Sequence, residues 1–433
     1  MKKVTIIGGG LAGSEAAWQL ISRGHEVRLY EMRPKTMTPA HKTGHLAELV
    51  CSNSFRAANV ENAVGLLKEE MRRLDSLIMA AAEASQVPAG GCLAVDREAF
   101  SSYIEKKLFD SGKVELIREE VRTVPEDDTV IIATGPLTAP SLVGELAKIA
   151  GRDDLYFYDA VAPIVSAESV NMDIAFFASR YDKGDADYIN CPMTKEEYDA
   201  FYEAIVSAKL YEPHAFEKIK FFEGCMPMEE MAARGRETMS HGPLKPVGLT
   251  DPRSGKMPYA VVQLRKEDRE GRLYNMVGFQ THLLRGEQER VFRMIPGLEN
   301  AEFLRYGMIH RNTYIHSPKI LDPTMEARDR QGLFFAGQLT GVEGYVESSA
   351  NGLLAGINAA RCAEGRERVI FPPETAIGAL AHYVANGGSG KFDPMNITFG
   401  LISPLKERVR KKKEKNAKIA ARSLEILKTI DVS

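Results

Sequence analysis

The sequence predicts an α/β fold: a Rossmann-like nucleotide-binding domain on a parallel sheet, interrupted by an inserted α+β domain. Three observations carry this. A strand–glycine–helix signature opens the chain at Val4, and a strand running into a glycine turn lies at Thr129–Pro136. A further strand–glycine–helix signature occupies Gly332–Arg361, near the C-terminus. Such signatures at both ends, with a different texture between them, are the pattern of a domain split by an insertion. The expected divisions are residues 1–155 for its first part, 156–323 for the insert and 324–433 for its second part.

Val4–Ile7 is a short β-branched run of the kind a buried parallel strand uses. It passes directly into Gly8, Gly10 and Gly13, the G-x-G-x-x-G spacing, then into a proline-free helical stretch, Leu11–Arg23, closed by Gly24. Glu26–Tyr30 reads as a second strand, with Glu31 at its end. The glycines permit a tight turn, approach of a diphosphate and close helix–sheet packing. The helix N-terminus offers free N–H groups to phosphates, and Glu31 suits the two hydroxyls of a ribose. A glycine motif alone also fits a turn that merely packs a βαβ unit. Here strand, turn, helix, strand and acid arrive in order. Gly9, Leu11 and Ala12 in the turn, and Met32 and Arg33 after the acid, complete the expected contacts.

In Thr129–Pro136 a buried strand ends in a turn at Gly135. In the late segment Leu333–Ala336 is a strand, Gly337-Gln338 its turn, and Ser348–Arg361 a helix rich in small residues. The insert has strand-like runs at Ala160–Ser166, Tyr259–Leu264 and Asn275–Phe279, and one helix, Lys195–Ala208. Met239–Met257 is loop-like, with Gly or Pro every few residues, and Ala381–Gly390 reads as a second flexible loop.

The chain's 433 residues exceed one ordinary core, and its 44% hydrophobic and 27% charged content is that of a soluble globular protein. The apolar run after Met1-Lys2-Lys3 is broken by glycine after four residues. That is too short for a signal peptide, and no run reaches the ~18 apolar residues of a membrane span, so a cytoplasmic protein is expected. Five cysteines, an odd number with no C-x-x-C pair, fit free thiols better than a disulfide framework or a zinc site, and no metal is expected. A net charge of −3 argues against a dedicated nucleic-acid binder. Yet Pro404–Lys428 holds ten Lys/Arg against three Glu. That run fits a solvated helix face or a patch for a polyanion.

Three features favour FAD over NAD: the motif opens at the start of the chain, a strand carries A-T-G-P, and a late strand–Gly–Gln segment leads into a helix. That helix would point its N-terminus at the flavin, where it stabilises negative charge on the reduced ring. No second G-x-G-x-x-G lies near residue 150. NAD(P)H is therefore expected to reach the flavin transiently.

Three further strings are specific. ELVCSNSFR (Glu48–Arg56), FFEGCMPMEEMA (Phe221–Ala232) and MVGFQTHLLRGEQERVFRMIPGLENAEFLRYG (Met276–Gly307) closely resemble the folate- and FAD-dependent tRNA (uracil-5-)-methyltransferases of bacteria, the TrmFO family. The late GQLTGVEGYVESSANGLLAGINAA segment is shared with them and, more loosely, with GidA-type flavoproteins. The resemblance runs from residue 1 to about residue 430. It implies transfer of the one-carbon unit of 5,10-methylenetetrahydrofolate to C5 of the uridine in the TΨC loop of tRNA (position 54). Reduced FAD supplies the electrons and NAD(P)H restores it. No obligate protein partner is implied.

Uracil C5 becomes nucleophilic only after something adds to C6, and a thiolate is the usual agent. Cys225, from the insert, is the expected C6 nucleophile, and Cys51 the partner that handles the C5 proton or the methylene; the reverse assignment stays open. Cys92, Cys191 and Cys362 are expected to be small buried hydrophobes. The resemblance implies that His282 stacks on the pterin and that Arg285, nearby, meets the folate carboxylates. It also places Gln338, Tyr345 and Asn351 at the flavin's edge, with Gly344 immediately before Tyr345; Tyr345 fits a core aromatic equally well. The basic C-terminal run and Arg285, Arg290, Arg293, Arg305 and Arg311 are the expected phosphate contacts. Two alternatives remain at this point: a GidA-like flavoprotein modifying the wobble uridine, and an FAD-bearing RNA-binding or redox-sensing protein.

Overall fold

A computed structural model of the chain describes residues 3–126, 129–150, 156–182, 185–211, 226–268, 270–387 and 392–433. Its largest parallel sheet orders six strands as Glu326–Ala327, Arg330–Phe335, Val130–Ile132, Lys3–Ile7, Glu26–Tyr30 and Val114–Ile117. All neighbours in it run parallel except the first pair. Val4, Ile6, Ile131 and Phe334 are completely buried, as strands covered on both faces require.

The helix Leu11–Ser22 packs backbone to backbone against the long helix Tyr345–Ala363. Two glycines make this approach possible. A Cβ on Gly352 would lie 2.3 Å from the Ala12 carbonyl oxygen, and one on Gly356 would lie 2.9 Å from Ala16 Cα. The small-residue helix expected from Ser348 thus begins three residues earlier, and its glycines are its contact surface.

A second sheet lies in the middle of the chain and is antiparallel throughout. Its order is Phe176–Ala178, Tyr188–Met193, Ala260–Lys266, Leu273–Met276, Ile164–Ser166 and Phe303–Arg305. The helix Lys195–Val206 starts with a full capping box between Thr194 and Glu197 and buries Tyr198 and Phe201 in a separate apolar core with Phe279 and Phe292. Tyr156–Val161 pairs with Met308–Thr313 as a two-stranded ribbon where the chain leaves for this region and returns. A small sheet of Ser54–Ala57, Cys92–Val95 and Gln86–Val87 completes the set.

Two expectations are corrected. Ala160–Ser166 is not one strand: it divides at Ala162-Pro163 into two strands belonging to different sheets. Pro163 has no N–H for a ladder, so the break falls there. Ala381–Asn386 is not loop but the second half of a helix, Ala376–Asn386, capped by Thr375 and stopped by Gly387 at φ +68°. The loop-like stretch Met239–Met257 stands, apart from a one-turn helix at Thr238–His241. No helix among the described residues is long and apolar enough to cross a membrane.

Candidate functional site

The C-terminal ends of the parallel strands open onto a cleft. Gly8, Gly10, Leu11 and Ala12 line it from the first turn, and Glu31, Met32 and Arg33 from the end of the second strand. Gly135, Gly337, Gln338 and Tyr345 close the other side. The remaining four expected residues stand behind this wall. Gly9 donates its N–H to Glu31 Oε2 at 3.0 Å. Gly13 sits under Gly8, whose carbonyl oxygen would be 1.9 Å from any Cβ placed there. Asn351 Oδ1 accepts the Gly337 N–H at 2.9 Å, and Gly344 caps the helix Tyr345–Ala363 at φ +106°.

The cleft fits a dinucleotide. Gly10 caps the first helix without a side-chain hydrogen bond, so the N–H groups of its first turn are offered where Leu11 and Ala12 line the cleft. Gly8 (φ +104°) passes so close to the next strand that a Cβ would lie 2.4 Å from the Ala133 oxygen. Only glycine allows that turn.

Glu31 is more constrained than its sequence position suggests. Oε1 accepts the Arg33 backbone N–H and Nε, both at 2.9 Å, while Oε2 accepts Gly9 N–H and Arg33 Nη2 at 3.0 and 3.1 Å. Burial opposes ionisation here, but the hydrogen bonds and charge of Arg33 outweigh it and hold Glu31 below the ordinary carboxylate range. Arg33 is itself buried and reaches on to Glu48 at 3.1 Å. A ribose hydroxyl bound at Glu31 would have to share it with Arg33.

Cys51 lies half-buried beside the cleft wall. Its backbone N–H donates to the Tyr345 hydroxyl at 2.7 Å, and the next N–H, of Ser52, to the same oxygen at 3.0 Å. Burial, and then the neighbouring Cys51, push the Tyr345 phenol upward, so it stays a neutral hydroxyl. Tyr345 is thus both cleft wall and anchor of the Cys51 loop. From the antiparallel region Arg265 Nη2 reaches Ser52 Oγ at 2.7 Å and Arg305 Nη2 reaches the Cys51 carbonyl at 2.9 Å. Cys191 is fully buried in the second core, where desolvation drives its thiol far up. Cys92 and Cys362 are half-buried rather than buried, and Arg368 Nη2 donates to Cys362 Sγ at 3.0 Å.

Cys225 lies outside the described residues. His282 is described and does not line the cleft. It is 3% exposed, with Nδ1 3.1 Å from Glu229 Oε1 and Nε2 3.7 Å from Glu230 Oε1. The same Glu229 oxygen accepts the Thr281 hydroxyl at 2.8 Å and the His282 backbone N–H at 2.5 Å. Arg285 is an exposed residue over the face of Tyr306, 4.2 Å from the ring centroid, and also lies outside the cleft.

The arginines expected to meet phosphate are largely committed elsewhere. Arg290 pairs with Glu287, and Arg293 donates twice to the Ala301 carbonyl. Arg305 is spent on backbone carbonyls. The side chain of Arg311 lies outside what is described. Residue patterns alone missed Arg97, Arg265 and Glu267: their spacing carries no motif, and only the fold brings them to Cys51.

Comparison with known proteins agrees with this geometry. The family model described as glucose inhibited division protein A matches residues 3–367. The chain is 62% identical over 424 residues to a protein of Heliobacterium modesticaldum named methylenetetrahydrofolate--tRNA-(uracil-5-)-methyltransferase TrmFO, covering 98% of this chain and 97% of that one. It is 59% identical to a protein of the same name from Listeria monocytogenes serotype 4b, covering 99% of each. Among solved structures, Aquifex aeolicus GidA superposes with a TM-score of 0.70 at 17% identity, over 99% of this chain and 73% of the other. That likeness speaks for the fold.

Proposed function

The chain belongs to the TrmFO family of methylenetetrahydrofolate–tRNA-(uracil-5-)-methyltransferases, and we propose that it methylates C5 of the TΨC-loop uridine with FAD in the cleft described above. The observation that carries the reading is structural: a cysteine loop is hydrogen-bonded to the residue that walls a dinucleotide cleft. This link between the Cys51 loop and the cleft wall supports a reading in which a thiol and a redox cofactor act together. Nothing comparable favours the wobble-uridine alternative.

FAD, when bound, supplies the two electrons that take the transferred carbon from methylene to methyl, and NAD(P)H is proposed to replace them. Leu11, Ala12 and the glycine turn hold its diphosphate, and Gln338 and Tyr345 meet its ring. Cys225 is proposed to add its sulfur to uracil C6, forming an S–C bond that makes C5 nucleophilic. The methylene's bond to folate N10 breaks as that nitrogen takes a proton, C5 bonds to the methylene carbon, and the remaining bond to N5 breaks as the C5 proton leaves, N5 ending protonated. Cys51 takes the C5 proton, and Cys225 leaves C6 once the methyl group is complete. The products balance as 5-methyluridine, tetrahydrofolate and oxidised flavin. Folate contact by His282 and Arg285 rests on the family resemblance; an unchanged folate KM in His282→Ala would remove His282 from the scheme.

The test is to incubate the FAD-loaded protein with unmodified tRNA and NAD(P)H, with and without methylenetetrahydrofolate, then quantify 5-methyluridine after digestion. Product that depends on the folate is expected. A modified wobble uridine, or no product from a folded yellow protein, would overturn the reading.

A further inference from the structure

Leu49, Val50 and Cys51 lie in an irregular segment, so their carbonyls have no ladder partners. Two guanidiniums fill that role. Arg97, which opens the helix Arg97–Asp110, donates through Nη1 to the Leu49 carbonyl and through Nη2 to the Cys51 carbonyl at 3.3 Å. Arg305, at the end of a strand of the antiparallel sheet, donates through Nη1 to the Val50 carbonyl at 3.1 Å and through Nη2 to the Cys51 carbonyl at 2.9 Å. Glu267, from the same region as Arg305 and nearly fully buried, ties Arg97 down through Nε at 2.7 Å.

Holding three carbonyls does not by itself call for two cations. Neutral N–H donors would do it without crowding like charges, and here two guanidiniums converge on one oxygen while the Glu267 carboxylate is ion-paired to Arg97. Burial, and then the charge of Arg97, press Arg305 down to about 10 from the ordinary arginine range. The arrangement is electrostatically costly for a mere loop support. What it secures is direction. The Cys51 N–H is fixed from the cleft wall by Tyr345 and its carbonyl from the opposite side by Arg97 and Arg305, so the backbone of this one residue is held at both ends.

We propose that Arg97 and Arg305 are positioning residues for Cys51, forming with Glu267 a clamp through which the antiparallel region sets the placement of the thiol. The catalytic side of this rests on the methyltransferase reading above; the clamp itself does not. Arg305 is on this view no phosphate contact, although its place in an arginine-rich stretch suggests one.

The test uses the full chain loaded with FAD, comparing Arg305→Gln and Arg305→Lys with the unsubstituted protein. Arg305→Gln is expected to leave FAD content and the flavin spectrum unchanged and to lower kcat on the order of 10²-fold, the cost of an ångström-scale misplacement, with little change in the tRNA KM. Arg305→Lys, a single ammonium in place of a fork that spans the Val50 and Cys51 carbonyls, recovers part of the loss. In parallel, the iodoacetamide labelling rate of Cys51, followed by peptide mapping with Cys362 as internal reference, is expected to change in Arg305→Gln. This readout needs no turnover, so it judges the clamp even if the protein makes no 5-methyluridine. If Arg305→Gln does not fold, Glu267→Gln, which keeps the shape and removes the charge anchoring Arg97, is expected to shift the same two quantities. A raised tRNA KM and a weaker salt dependence, with kcat and Cys51 labelling unchanged, would make Arg305 a phosphate ligand and overturn the proposal.

Discussion

The hydroxyl of Tyr345 lies 2.7 Å from the amide nitrogen of Cys51, joining the first residue of the late helix to the cysteine loop across 294 positions of sequence. The same oxygen takes the Ser52 N–H, so one phenol satisfies two consecutive donors. In Tyr345→Phe both lose their acceptor while the ring that walls the cleft remains. Two orphaned N–H groups cost about 1–3 kcal/mol each if they stay buried. The variant is expected to keep its FAD, to unfold at lower urea and to lose most methyl transfer. Unaltered turnover would show that the loop holds without the phenol.

The helix pair that frames the cleft has no spare volume. A methyl group on Gly352 falls 2.3 Å from the Ala12 oxygen and 2.6 Å from its Cα, both backbone atoms that cannot rotate away. Gly352→Ala must therefore separate the helices, an overpacking penalty of about 1–3 kcal/mol. Ala12 and Gly337 line the cleft directly, and their Cβ positions would meet at 2.8 Å, so the displacement passes straight to the cleft wall. Purified Gly352→Ala is expected to carry less FAD per chain than the parent, read from the flavin absorbance after denaturation.

Steric necessity explains which features are legible in the sequence. Gly8 and Gly13 are dictated by atoms of their own turn and the adjoining strand, so the local string announces them. Arg97, Arg265, Glu267 and Arg305 depend on distant segments converging on Cys51, and no spacing records that. His282 is a related case: its burial against Glu229 is a tertiary contact that its own string does not record. The helix Ala376–Asn386 is masked by the glycines that follow it. Its N-cap Thr375 and the apolar run Ala376–Ala381 are the stronger signal.

Two carboxylates inside the first core make stability depend on pH. Glu15 accepts the Ser76 hydroxyl and Ile78 N–H, and Glu70 accepts the N–H groups of Ala376 and Ile377 and the Ser423 hydroxyl. Burial outweighs those bonds and pushes each up to about 7, from 4.5. The folded state then holds protons that the unfolded chain has released. Their contribution is complete below about pH 4.5 and is lost as pH rises through about 7. Unfolding free energy from urea titrations is expected to fall between pH 5 and 7.5, by at most about 1.4 kcal/mol per unit for each group. Glu70→Gln is expected to halve that slope. An identical slope in the variant would rule out Glu70 as a source.

The basic C-terminal run divides into committed and uncommitted charge. Lys413 pairs with Glu61, Lys418 with Glu414 and Lys428 with Glu425, while Arg422 donates to the carbonyls of Ser403 and Pro404. Lys411, Lys412 and Lys415 have no ion pair among the described residues, and they stand at the N-terminal end of the helix Lys412–Leu427. That is the positive end of the helix dipole, where lysine is disfavoured by a few tenths of a kcal/mol. Folding alone therefore gives no reason for them, whereas a phosphate backbone does. Replacing all three with Gln is expected to move stability and tRNA binding in opposite directions: urea resistance unchanged or raised, affinity lowered. The slope of log K against log salt should flatten by roughly 0.7–0.9 for each phosphate that is no longer neutralised. Equal loss of stability and affinity would instead make these lysines part of the fold, and an unchanged slope would place the tRNA on another face.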